Sequence, residues 1–209
     1  METLKAYIWD LDGTLFDSYG SIVSSLIQVA EDCGASDSYE KIMKAVKQGS
    51  VSGYLRELSD VSGKSTETLY EMYRAVSHAK DGEITLIPDA AETLKTLQDQ
   101  GAKHFVYTHR GTTTEPLLER LGIKAFFTEV VTSQSGFRPK PSGEGVTYLM
   151  EKYGLEKRQT AYVGDRTLDV LCARDAGVQA FLYLPEDSCV EPTGKEDRIV
   201  RHLTELTEE

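Results

Sequence analysis

Carboxylates, a hydroxyl and an ammonium stand in this sequence at or near the ends of apolar runs. Asp10 and Asp12 close the first run in Trp9-Asp10-Leu11-Asp12-Gly13-Thr14, and Thr108 closes another ahead of His109 and Arg110. Asp165 closes a later run in Tyr162-Val163-Gly164-Asp165, with Asp169 four residues on, and Lys140 lies between them in Arg138-Pro139-Lys140-Pro141. If these ends share one rim, ionised carboxylates about 6 Å apart at an effective dielectric of about 20 repel by roughly 3 kcal/mol per pair. A cation is therefore expected among them. Carboxylate and carbonyl oxygens suit a hard ion, and beside phosphate that ion is ordinarily Mg2+. With the ion, Lys140 and a protonated Asp12 the rim becomes neutral, and a phosphate dianion can enter.

The elements that must position these residues follow from apolar periodicity. Leu4 to Trp9 is a short apolar run broken by Gly13-Thr14, which reads as a buried strand feeding a loop. Residues 15 to 84 carry four helical stripes with no strand between them, for instance Ile22, Leu26 and Val29, punctuated by Gly34, Gly49 and Gly63. From Pro88 onward helices alternate with strands at His104 to Thr108, Phe126 to Val131, Thr160 to Val163 and Gln179 to Leu184. Helices are expected near Glu115 to Leu121 and over Leu168 to Ala176. Repeated βα units imply an α/β fold, a doubly wound, mostly parallel sheet with a Rossmann-like core covered on both faces. Such sheets bind ligands outside the carboxyl ends of their strands. The core is expected to be discontinuous, residues 1 to 14 with 85 to 209, and residues 15 to 84 to form an inserted all-helical cap domain.

Asp-x-Asp-Gly-Thr after the first strand, a Thr ending the second, a Lys before a helix and Gly-Asp-x-x-x-Asp after the fourth strand, in that order, resemble the haloacid dehalogenase-like phosphatases. The resemblance spans nearly the whole chain. It takes in Asp17-Ser18 and the helical insertion, as in the phosphoglycolate phosphatase and β-phosphoglucomutase branches. It implies Asp10 as a nucleophile that forms an aspartyl-phosphate, and Asp12 as the general acid and base. It implies Mg2+ held by Asp10, the Asp12 carbonyl and Asp165, with Asp169 as a direct or water-bridged partner. Thr108 would donate to a phosphoryl oxygen, Lys140 would balance the charge on the transferring group, and Gly13 would let backbone amides approach it. The implied activity is a Mg2+-dependent phosphatase acting on a small phosphorylated metabolite, phosphoglycolate-like or a sugar phosphate. A mutase of the β-phosphoglucomutase type uses the same residues, and a non-catalytic metal- and phospholigand-binding regulator is the remaining alternative. A dehalogenase would lack an acid like Asp12.

Taken singly, each fragment has a structural explanation: Asp-Gly-Thr is an ordinary turn and Gly-Asp an ordinary helix start. Only the ordered set points to chemistry. His109 and Arg110 stand where relatives often carry Asn or a small polar residue, and a cationic contact to an anionic substrate is weighed for them against a solvated strand end. His104, His78 and His202 are expected at the surface, and the acidic tail with Glu205, Glu208 and Glu209 as a solvated face. Gly63-Lys64-Ser65-Thr66 imitates the end of a phosphate loop, but Leu58 stands where that motif needs glycine. Ser65 or Thr66 capping the next helix is the better account.

Composition narrows the classes further. Asp and Glu number 34 against 23 Lys and Arg, a net charge of −11, which disfavours nucleic acid and acidic membranes as partners. No apolar run approaches a membrane span, and Met1-Glu2-Thr3-Leu4-Lys5 lacks signal architecture, so the expected location is the cytoplasm. Cys33, Cys172 and Cys189 are odd in number and widely spaced, which indicates neither a disulfide framework nor a zinc knuckle. Monomer and homodimer both remain open.

Overall fold

The computed structural model describes residues 3–208; Met1, Glu2 and Glu209, which belong to the N-terminal stretch and the acidic tail weighed above, lie outside the described residues. The first strand, β1 (Ala6–Trp9), is buried along its whole length, as an apolar run flanked by neighbours on both sides must be. Two short strands, β2 (Phe16–Asp17) and β3 (Thr85–Leu86), pair with each other, and between them lie four helices: α1 (Tyr19–Asp32), α2 (Tyr39–Gln48), α3 (Val51–Ser62) and α4 (Thr66–Ala79). There follow α5 (Ala90–Asp99), β4 (Lys103–Tyr107), α6 (Thr114–Arg120), β5 (Phe127–Val131) and α7 (Glu144–Tyr153). The chain ends through β6 (Thr160–Gly164), α8 (Thr167–Ala176), β7 (Gln179–Tyr183) and β8 (Arg198–Val200).

The main sheet has six strands in the order β5-β4-β1-β6-β7-β8, and every pairing is parallel. The chain works outward from β1 through β4 to β5, then crosses back over β1 and works outward the other way. Strand order thus reverses around β1, and the crevice of such a sheet lies at the carboxyl ends of β1, β4 and β6. One face of the sheet, with Ile8, Phe105, Tyr107, Tyr162 and Leu182, packs on Val146 and Leu149 of α7 and Val170 and Ala173 of α8. By the two-residue alternation of strands, Trp9, His104 and Val106 face the other way.

That alternation overturns the surface reading of His104. The residue is 0% exposed, and its ring sits between the sheet and α5. The Trp9 indole donates to its Nδ1 at 3.1 Å, and its Nε2–H donates to the Leu94 carbonyl at 3.0 Å. Burial pushes its pKa down to about 4, so the ring is neutral. In the tail Glu208 is exposed as expected, whereas Glu205 is half-buried and its carboxylate accepts the Arg201 and His202 N–H groups, beside the buried Leu203 and Leu206. The strand β8 escaped notice because it is only three residues long and flanked by charge.

Two compact units divide the chain, one of residues up to Asp17 with Leu86 onward, the other Ser18–Thr85. The division falls a few residues later than the pattern of helical stripes suggests. Leu15 and Phe16 are fully buried, and they are tied by the Leu15 and Phe16 N–H groups on the Leu11 carbonyl and the Ile87 N–H on the Leu15 carbonyl. The helical unit has its own core, with Leu26 and Val29 of α1, Ile42 of α2, Leu55 of α3 and Leu69 of α4. Ser50 and Ser65 cap α3 and α4 by accepting the Gly53 and Thr68 N–H groups, so the phosphate-loop imitation is a helix stop and start. Among the described residues no helix is long and apolar enough to cross a membrane.

Candidate active site

Asp10 follows β1 directly, and its N–H continues the ladder to the Val163 carbonyl at 2.9 Å, so the side chain emerges at the sheet's crevice. Asp165 leaves β6 next door, and both carboxylates are buried. Asp169 joins them from the first turn of α8. Gly164 permits this, because a Cβ there would strike the Asp169 side chain at less than van der Waals distance. Ligand oxygens of Asp10, Asp165 and Asp169 lie within 4.8 Å of one another. The Asp12 carboxylate belongs to no such group among the described residues and faces Arg110 instead.

Lys140 reaches this cluster from the loop before α7. Its ammonium contacts Asp10 Oδ1 at 3.0 Å and Asp169 Oδ1 at 2.7 Å, and donates to the Tyr162 hydroxyl at 3.0 Å. Tyr162 in turn donates to the Tyr107 carbonyl at 2.8 Å. The three ammonium hydrogens thus have three acceptors, and the ammonium is fixed. Burial pushes Lys140 down, but the charges of Asp10 and Asp169 outweigh it and hold the ammonium above its ordinary value. Burial pushes the Asp10 carboxyl up, with Lys140 pulling against it. Asp169 is engaged on both oxygens, since Oδ2 accepts the Arg166 N–H at 3.1 Å. Its evident work is to hold Lys140.

A second cation, Arg166, stands beside Asp10 with its Nη2 3.8 Å from Oδ2. Together with Lys140 and Arg110 it offsets three of the four carboxylate charges, so the crowding expected from sequence is largely relieved by the chain itself. The case for a metal ion therefore rests on other observations. Asp10 Oδ2 is buried and accepts no hydrogen bond, and two further buried carboxylates each bring an oxygen within 4.8 Å of an Asp10 oxygen. An all-oxygen donor set of this kind fits a hard divalent cation.

Thr108 closes β4; its hydroxyl oxygen accepts the Arg110 N–H at 3.2 Å, which leaves the hydroxyl hydrogen to be donated. The two residues after it have separate duties. His109 Nε2 accepts the Lys140 backbone N–H at 2.8 Å, and burial, with Lys140 nearby, pushes its pKa down to about 4. The ring is neutral and fastens the Lys140 loop, so it supplies no cation to a substrate. Arg110 grips Asp12 through Nη2 at 2.7 Å and Nε at 3.1 and 3.2 Å, while Nη1 donates to Thr113 at 3.0 Å. Gly13 has φ +80°, and its N–H donates to the Phe16 carbonyl at 2.8 Å. Its positive φ suits a glycine at this turn, and its own N–H is spent within the turn.

Arg166 and Tyr162 were not singled out from sequence. The first was legible as a basic residue set between two carboxylates at a strand end, the second as a hydroxyl in an otherwise apolar strand. A family model described as haloacid dehalogenase-like hydrolase matches residues 7–183. A phosphoglycolate phosphatase of Agrobacterium fabrum is 32% identical over 83% of this chain and 78% of its own length. The pyrophosphatase PpaX of Bacillus velezensis is 28% identical over 84% of this chain and 81% of its own. Among solved structures, a predicted phosphoglycolate phosphatase from Haemophilus somnus superposes with a TM-score of 0.82 at 25% identity, covering 99% of this chain and 97% of that one.

Proposed function

We propose that this phosphatase, which belongs to the haloacid dehalogenase-like hydrolases, removes the phosphoryl group of a small phosphorylated metabolite through a covalent intermediate on Asp10. The observation that carries the reading is the juxtaposition, at the carboxyl ends of β1 and β6, of Asp10 with Lys140 and two further buried carboxylates. Asp10, Asp165 and the Asp12 carbonyl would hold Mg2+, with Asp169 beside them. The ion would neutralise phosphoryl oxygens and draw electron density from phosphorus.

An oxygen of Asp10 attacks phosphorus in line, and the bond to the leaving oxygen breaks. Asp12, once it has taken up a proton from solvent in place of its pairing with Arg110, gives that proton to the leaving oxygen and later takes one from the water that hydrolyses the phospho-Asp10 bond, releasing orthophosphate and restoring the Asp10 carboxylate. Lys140 is already placed beside the attacking carboxylate, so its charge opposes the charge on the transferring group without rearrangement. The Thr108 hydroxyl hydrogen is directed to a phosphoryl oxygen. His109 holds Lys140 by its backbone and Asp169 by its ammonium. The test is phosphate release from p-nitrophenyl phosphate with Mg2+ present. Asp10→Asn abolishes it while circular dichroism remains unchanged; equal activity in the two proteins would remove Asp10 as nucleophile.

A further inference from the structure

Tyr162 is buried in the middle of β6, on the face that packs against α7 and α8. Ile8 pairs with Phe105 on one side and with Tyr162 on the other, so the Tyr162 backbone stands two residues short of Tyr107, whose carbonyl its hydroxyl reaches at 2.8 Å. A carbonyl has no hydrogen and an ammonium no lone pair, which dictates the sense of both bonds. The hydroxyl donates to Tyr107 and accepts from Lys140 at 3.0 Å. Asp169 Oδ1, at 3.4 Å, is the more distant acceptor. Burial, with the charges of Asp169 and Asp10, pushes the phenol well above its ordinary pKa, so its proton stays and the direction of the two bonds with it.

The Tyr107 carbonyl belongs to the peptide unit whose N–H is that of Thr108, and this N–H donates to the Val131 carbonyl of β5 at 3.0 Å. The unit is therefore held at both ends, and the Tyr162 oxygen joins it to the ammonium of Lys140, which arrives from a separate loop. Asp10 at 3.0 Å and Asp169 at 2.7 Å bind that ammonium as carboxylates. Without its third acceptor, nothing opposes a shift toward Asp169, already the nearer of the two. Given phosphoryl transfer to Asp10, on which this inference rests, Lys140 and Thr108 are the two groups that meet oxygens of the transferring group. We infer that Tyr162 is a positioning residue for that transfer, acting through Lys140 and Thr108 by fixing the distance between them. Misplacing such groups by about 1 Å costs up to about a hundredfold in rate.

The experiment sets Tyr162→Phe beside His104→Phe, which also strips buried groups of a hydrogen-bond partner but on the opposite face of the sheet. Hydrolysis of p-nitrophenyl phosphate with Mg2+ gives kcat and KM, and orthovanadate, which adopts the five-coordinate geometry of phosphorus in transfer, gives an inhibition constant. In Tyr162→Phe kcat falls about ten- to a hundredfold, the scale of a lost hydrogen bond to a charged group, while KM stays within about threefold. The inhibition constant for orthovanadate rises in parallel, because a displaced Lys140 meets the transition-state geometry less well. His104→Phe keeps all three within about twofold. A merely structural Tyr162 would lower the folded fraction, hence kcat, and leave the orthovanadate constant where it was. That result, or the same change in His104→Phe, overturns the inference. A second measurement uses the wild-type protein alone and decides the matter should Tyr162→Phe fail to fold by circular dichroism. Heteronuclear NMR should show a sharp ammonium signal, absent from Lys140→Met, with cross-relaxation to the Tyr162 ring hydrogens; a wild type without it overturns the inference. Activity toward p-nitrophenyl phosphate that survives Asp10→Asn overturns the nucleophile assignment instead, while the ammonium signal judges Tyr162 separately.

Discussion

His104 offers a measurement that depends on neither substrate nor metal. In the folded chain its ring is neutral, because burial pushes its pKa down to about 4 from an ordinary 6.5. The unfolded chain takes up a proton as pH falls through about 6.5, and the folded one does so only near 4. Across that window the unfolded state binds more protons, so folding stability is lost as pH falls from about 6.5 to 4. At 1.36 kcal/mol per pKa unit the full loss is about 3 kcal/mol, of which about 2 kcal/mol falls between pH 7 and pH 5. The perturbation is His104→Phe, which removes the titrating ring from a site that is already apolar on most sides. The variant is less stable at pH 7, by about 1–3 kcal/mol, since the Trp9 N–H and the Leu94 carbonyl lose their partner, and the difference shrinks at pH 5. Its stability nevertheless falls by about 2 kcal/mol less than the wild type's between pH 7 and pH 5. Urea denaturation followed by tryptophan fluorescence, with a common slope in denaturant, gives both differences. His109 carries a similar downward shift but is present in both proteins and cancels. Equal drops in the two proteins would refute the buried neutral ring.

Two further outcomes concern the site. Tyr162→Phe removes the acceptor of one Lys140 hydrogen and the donor to the Tyr107 carbonyl, both buried, and should cost about 1–3 kcal/mol in urea denaturation; an unchanged midpoint would deny the hydroxyl its role. If the proposed site binds Mg2+, the ion at about a hundred times its dissociation constant should stabilise the folded chain by about 2.7 kcal/mol, a rise of roughly 5–10 °C in melting temperature. Asp165→Ala should shrink that rise in a thermal scan, and an undiminished rise would count against Asp165 as a ligand.

Much of the site was open to reading because its signals are local. Asp10 and Asp12 directly follow a buried run, Gly13 breaks it, and the same grammar marks Asp165. What stayed hidden depends on direction rather than identity. His104 reads as polar at the start of a strand, yet the pleat turns it onto the face beneath α5, where Trp9 and Leu94 satisfy it. His109 and Arg110 look like a pair of cations, and the fold separates them, one accepting a backbone N–H, the other gripping a carboxylate. Arg166 is adjacent to Asp165 in sequence, but only tertiary placement brings its guanidinium to Asp10. Thus the electrostatic balance, which determines how strongly an added ion is needed, was the least legible quantity.

The parallel sheet places the working groups at the ends of β1, β4 and β6, and the last of these is laid down only after residue 160. During synthesis Asp10 and Asp12 are made long before Asp165 and Asp169, which come only with the end of β6 and the start of α8. No prefix of the polypeptide that stops short of β6 contains the whole constellation. Under the proposed chemistry, a translation product interrupted before β6 lacks Asp165, Arg166 and Asp169 together.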